Sequence, residues 1–170
     1  MITLRCTRKL LDLLDQVPKD DPPSPTAALG DWYANVIPTL AGDLIMFVNE
    51  RTFLSVAMPV EAMEDLVPGF VTRVYNLLLM IDVPQDVARR ERDELRPVTF
   101  AKTASRSVLG VMNDVALGYD HVAAGFLEAG EVPRIWEAEL AMSRRIHSPT
   151  DHAFPFKVAK ALLADHYRGA

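Results

Sequence analysis

The chain of 170 residues has a single cysteine, Cys6, so it can form no internal disulfide and no cluster of thiolates around a metal. It has no basic excess either. The formal net charge is −5, with 6 Lys and Arg against 11 Asp and Glu in residues 1–85 and 12 of each in residues 86–170. An acidic first half and a balanced second half offer phosphate backbones no overall attraction, which argues against nucleic acid as a partner. No apolar run reaches the length needed to span a bilayer, and Met1 leads into Ile2-Thr3-Leu4 with no basic segment, apolar stretch and cleavage site of the secretory kind. A cytoplasmic protein that does not engage membranes is the expectation.

Signatures of known chemistry are also missing. There is no Gly-x-Ser-x-Gly elbow. Lys102-Thr103 precedes a helix start, but no glycine comes before it to let backbone amides wrap a phosphate. Cys6 sits where a strand meets a helix, a place where a thiol can be activated. The arginine that a phosphatase-type loop needs six residues on is instead Asp12, and a small buried residue is the simpler reading. His147, Asp151, His152 and His166 are metal-ligand types late in the chain, but their spacing matches no helical ligand pair, so neither a metal nor another cofactor is expected. The pairs Asp20-Asp21 and Glu64-Asp65 fall on a loop and a helix start, where solvation and the helix dipole account for them.

What is present is a core. Hydrophobic residues make up 49% of the chain, enough for one globular domain over 1–170. The stretch from Leu29 to Val60 reads as a sheet nucleus: a strand at Tyr33–Ile37, a breaker at Pro38 and Ala41-Gly42-Asp43, an unalternating apolar run at 44–48, and a third strand from Phe53 to Met58. The last two form a hairpin over 44–58 with Asn49-Glu50-Arg51-Thr52 as its polar tip. The run at 44–48 has the character of a central strand covered on both faces, which requires layers on either side. Ile2–Cys6 reads as a short strand, Thr7 as the cap of a helix carrying Leu10, Leu11, Leu13 and Leu14, and the proline-rich 17–28 as a loop. Helices follow after Pro68 and from Gln85 to Leu95, the latter with a charged, self-compensating face in which Arg89 can pair with Asp93 and Arg90 with Glu94. A strand at Pro97–Ala101 comes next.

The strongest periodicity lies between Ser105 and Glu128. Val108, Val111, Met112, Val115, Tyr119, Val122 and Phe126 share one side at about 100° per residue, with Arg106, Asn113 and Asp114 on the other. That predicts a long amphipathic helix over about 105–128, with a bend at Gly118 as the fallback. Residues from Pro133 to Arg145 and from Pro155 onward should add two further helices, with a loop at Ser148–Asp151. The fold class expected is therefore α+β, a small and mainly antiparallel sheet covered by helices.

Three polar constellations are candidates for function: Asp31, Trp32 and Asn35 at the entry to the sheet, Asn49, Glu50 and Arg51 at the hairpin tip, and Arg106, Asn113 and Asp114 on the long helix. Each also has a structural explanation: an aromatic packed at a strand start, a hydrogen-bonded turn, and a solvated helix face. Their neighbourhoods, Arg5–Leu11, Trp32–Asn35, Phe47–Thr52 and Arg106–Asp114, resemble an uncharacterised family of bacterial proteins, some of whose relatives are domains in proteins from plasmid reading frames. The resemblance covers about the first 120 residues and implies a compact bacterial α+β domain, with no activity, cofactor or catalytic residue attached. The functional expectation is a non-enzymatic module that binds another protein or self-associates. The alternative is a small enzyme or ligand-binding domain, which requires the three constellations to meet in one cleft.

Overall fold

The run Leu44-Ile45-Met46-Phe47-Val48 lacks alternation because both of its faces are packed: β3 (Leu44–Asn49) is buried throughout except at Leu44. It pairs antiparallel with β2 (Trp32–Ile37) on one side and β4 (Ser55–Pro59) on the other. The computed structural model describes residues 1–147 and 153–168. Two further strands, β1 (Ile2–Cys6) and β5 (Val98–Lys102), complete a five-stranded sheet in the order β4-β3-β2-β1-β5. The antiparallel ladders carry more paired residues than the parallel ones, which join β1 to β2 and to β5. The class is α+β, as expected. The middle position belongs to β2, however, because β1 and β5 extend the sheet beyond the meander.

Between these strands lie α1 (Arg8–Leu14), a 3-10 helix (Val60–Asp65), α2 (Leu66–Met80) and α3 (Gln85–Glu94), and after β5 come α4 (Arg106–Glu128), α5 (Ile135–Ser143) and α6 (Pro155–Tyr167). Alternation along the strands sends side chains into two separate apolar layers. Trp32, Ala34, Ile45, Phe47 and Val56 face α2, where Phe70 meets Trp32 edge to face at 5.3 Å and Phe47 at a tilt at 4.8 Å between ring centroids. Tyr33, Met46, Val48 and Ala57 face α4 and α5 through Val108, Val111, Met112, Val115 and Met142. Each large side chain buried in this way contributes about 1.5–3 kcal/mol, so both layers are needed to hold the sheet.

Local chemistry sets the boundaries. Phe53 has a φ of 59°, the left-handed region, and the tip closes through Phe53 N–H to the Asn49 carbonyl and Asn49 N–H to the Leu54 carbonyl. β4 therefore starts at Ser55, two residues later than the apolar pattern suggests. α2 begins at Leu66, two residues before Pro68, because amides in a first turn have no helical acceptor to lose. α4 runs unbroken through Gly118, where a β-carbon would lie 2.3 Å from the Met142 sulfur, so α5 crosses at that point. Ser105 caps α4 by accepting the Val108 N–H. No helix among the described residues is long and apolar enough to cross a membrane. The loop expected at Ser148–Asp151 lies outside the described residues.

Candidate functional site

Of the nine residues singled out in the sequence, the fold brings Asp31 and Glu50 together and gives most of the others different work. Asn49 is fully buried at the end of β3. Its Nδ2 donates to the carbonyls of Leu29 (3.0 Å) and Asp31 (3.1 Å), while its Oδ1 accepts the N–H groups of Arg51 and Thr52 and the Thr52 hydroxyl. It ties the hairpin tip to the chain entering β2. Arg51 reaches back to the Ala28 carbonyl at 2.7 Å, and Trp32 points into the α2 layer with no exposure. Asn35 accepts the Thr7 hydroxyl at 2.7 Å, which explains why Thr7 precedes α1 without capping it.

Asp31 joins β2 to β1. Its Oδ1 accepts the Thr3 N–H at 2.9 Å and its Oδ2 lies 3.2 Å from an Arg5 nitrogen. Register places Arg5 beside Tyr33, and the Glu50 N–H bonds the Asp31 carbonyl, so Arg5, Asp31, Tyr33 and Glu50 form one cluster. Burial raises the Glu50 carboxyl above its usual range, with Arg5 pulling it back and Asp31 pushing it further up. Burial also raises the Tyr33 hydroxyl, helped by Glu50 and opposed by the Ala104 and Ser105 backbone and by Arg5. The Tyr33 oxygen accepts the Ser105 N–H at 3.0 Å, which fixes the start of α4 beside the cluster. Hydrogen-bonding capacity is left over among the described residues: Arg5 Nε and Thr3 Oγ1 are buried without a partner there, and the half-buried Glu50 carboxyl accepts no hydrogen bond. Such a cluster can hold a polar or cationic group. It presents no activated nucleophile.

Arg106, Asn113 and Asp114 do not join it. All three are exposed on α4, and Asn113 makes no hydrogen bond among the described residues, in keeping with a solvated helix face. Asn113→Ala is accordingly expected to leave stability unchanged or to raise it by a few tenths of a kcal/mol, about the gain in helix propensity, in chemical denaturation. Cys6 is buried at 1% exposure, and burial pushes its thiol up to about 12, the reverse of an activated cysteine. His147 is buried, with burial lowering its pKa, and His166 is exposed against Tyr167. Asp151 and His152 lie outside the described residues.

The sequence reading missed Arg5, Thr3 and Tyr33, whose meeting depends on the β1–β2 pairing across a long loop. It also missed two buried carboxylates. Glu91, on the supposedly solvated α3, accepts the N–H groups of Ala28 and Leu29 (both 2.9 Å) and the Tyr167 hydroxyl (2.8 Å). Among the described residues, ion pairs on this helix join Arg92 to Asp93 and Glu94 to the N-terminal amine. Glu139 on α5 accepts the outward Ala57 N–H of β4 at 3.0 Å and pairs with Arg73 at 3.2 Å.

Burial raises the Glu139 carboxyl, against the opposing pull of Arg73 and the Ala57 N–H. A carboxyl that titrates higher in the folded state holds its proton more tightly there. Its stabilising contribution is thus complete below the unfolded value of about 4.3 and is lost as pH rises through the folded one. Compared with Glu139→Gln, the wild type should lose stability across that window in urea titrations at stepped pH. Parallel profiles would refute the assignment.

The chain belongs to the family described as the domain of unknown function DUF6933, to which residues 3–158 match. No curated protein and no solved structure matches it.

Proposed function

We propose that this DUF6933 member is a non-enzymatic binding module of the bacterial cytoplasm whose contact point is the partly exposed pair Glu50 and Arg5, backed by the buried Asp31 and Tyr33. Its partner would be a protein segment that brings a basic side chain to Glu50. The observation carrying this reading is the Glu50 carboxyl, half-buried and accepting no hydrogen bond among the described residues, beside an Arg5–Asp31 pair that already neutralises itself. A half-buried carboxylate that accepts no hydrogen bond carries a desolvation cost only partly offset by Arg5, and an incoming lysine or arginine relieves the rest. The net charge of −5 favours a basic protein partner over nucleic acid. The family resemblance read in the sequence points to a bacterial setting.

A second reading, a small polar ligand at the same cluster, has its own support in the leftover donors Thr3 Oγ1 and Arg5 Nε, which lie closed off from solvent here and would have to be uncovered to meet its acceptor. Affinity capture from bacterial lysate with wild type and Glu50→Gln side by side, together with light scattering, separates the readings. The proposal requires a stoichiometric partner, or a dimer, that Glu50→Gln loses while its melting temperature stays within a degree or so of the wild type. A monomer without a stoichiometric partner sinks it. A partner retained by Glu50→Gln sinks the assignment to this face.

A further inference from the structure

Away from the charged cluster, α4, the start of α5 and the turn between β2 and β3 surround a cavity of about 230 Å³. Its walls are apolar, with Tyr119, Val122 and Phe126 from α4, Ile135 from α5, and Leu44 and Pro59 from strand ends. The mouth is acidic. Asp43 and Glu61 both line it, and neither carboxylate has a hydrogen-bond or ion-pair partner among the described residues. Arg134, also in the lining, is already spent: it lies 3.1 Å from Glu131 and 2.7 Å from Glu137, with its guanidinium 4.6 Å from the Phe126 ring centre.

We infer that this cavity binds a small organic monocation, an amine carried on a compact apolar body. The walls supply what an alkyl or aryl group needs, removal of its surface from water without loss of a hydrogen bond. The size restricts that body, since pockets for drug-sized ligands begin at roughly 300 Å³. One six-membered ring with a short chain is the scale that fits. The sign of the charge comes from the mouth, where two free carboxylates stand beside an arginine whose charge two further glutamates more than cancel. An anion of the same shape meets repulsion, and a neutral analogue gains only the walls.

Titration calorimetry on the full chain with 2-phenylethylamine, 2-phenylethanol and 3-phenylpropionate tests this, because the three share a body and differ in charge. The amine should bind about tenfold more tightly than the alcohol, the scale of two exposed charge contacts, and the acid weakest of all. Asp43→Asn with Glu61→Gln changes only exposed side chains and should bring amine and alcohol to similar affinity. Ala123→Phe, which fills the cavity, should remove both. Equal binding of all three probes, no amine binding at millimolar concentration, or an amine preference that survives the double substitution would overturn the inference. If Ala123→Phe does not fold, the double variant decides alone. Glu50→Gln should leave amine binding untouched, so this site and the charged face stand or fall separately.

Discussion

Glu91→Ala should destabilise the protein by about 3–5 kcal/mol, the range for removing one partner from a buried charged network. The carboxylate has no exposure and holds three donors from distant parts of the chain: two backbone amides of the loop entering β2 and the hydroxyl of Tyr167 on α6. Alanine leaves both amides buried without an acceptor, and each such group costs about 1–3 kcal/mol. Tyr167 loses its acceptor too. Burial and the nearby Glu91 charge keep that phenol protonated, as a donor to Glu91 must be. Glutamine should recover only part of the loss, since its amide nitrogen turns a donor toward donors. Urea denaturation of the three proteins is the measurement, and a loss below 1 kcal/mol for alanine would mean that water replaces the carboxylate.

The second large effect is expected at Asn49, where alanine should cost about 3–4 kcal/mol through the same penalty for unpaired buried groups. Asn49→Asp is the sharper test. It keeps the Oδ1 bonds to Arg51 and Thr52 but turns an acceptor toward the carbonyls of Leu29 and Asp31. If the donor half of the amide matters, aspartate should be at least as damaging as alanine. A near-neutral aspartate variant would place the whole contribution in the tip turn.

Glu91 and Asn49 together show where sequence reading succeeds and where it stops. Regular elements were legible because period and breakers are local: α4, the hairpin and α2 came out within a few residues of their observed limits. Asn49 was singled out as a polar residue at a tip, with a hydrogen-bonded turn as its bland explanation, and the structure favours that explanation. The signal for Glu91 was available but hidden by composition. In the run Ala88-Arg89-Arg90-Glu91-Arg92-Asp93-Glu94-Leu95 the buried positions are Ala88, Glu91 and Leu95, spaced as one helical stripe. Glu139 occupies a buried position beside Ala138 and Met142 in the same way. A carboxylate on an apolar stripe needs a buried partner, and asking which donors it meets would have found both. The charged cluster was beyond such reasoning, because Arg5 reaches Asp31 through a parallel pairing that closes across the 17–28 loop, and loop length does not set register.

The outer strands of the sheet are guarded by unlike means. Along β5, the Lys19 N–H occupies the Phe100 carbonyl, so a loop lies against that edge. Along β4, Pro59 has no amide to offer and the Ala57 amide is held by Glu139 of α5. The second guard is removable, since it depends on a nine-residue helix staying docked. When α5 lifts, β4 becomes an open template, an apolar strand whose free backbone groups can recruit a strand from another molecule. Aggregation of this protein would then begin at β4 during partial opening, well before global unfolding, and its rate would follow the undocking of α5 more closely than the overall melting temperature.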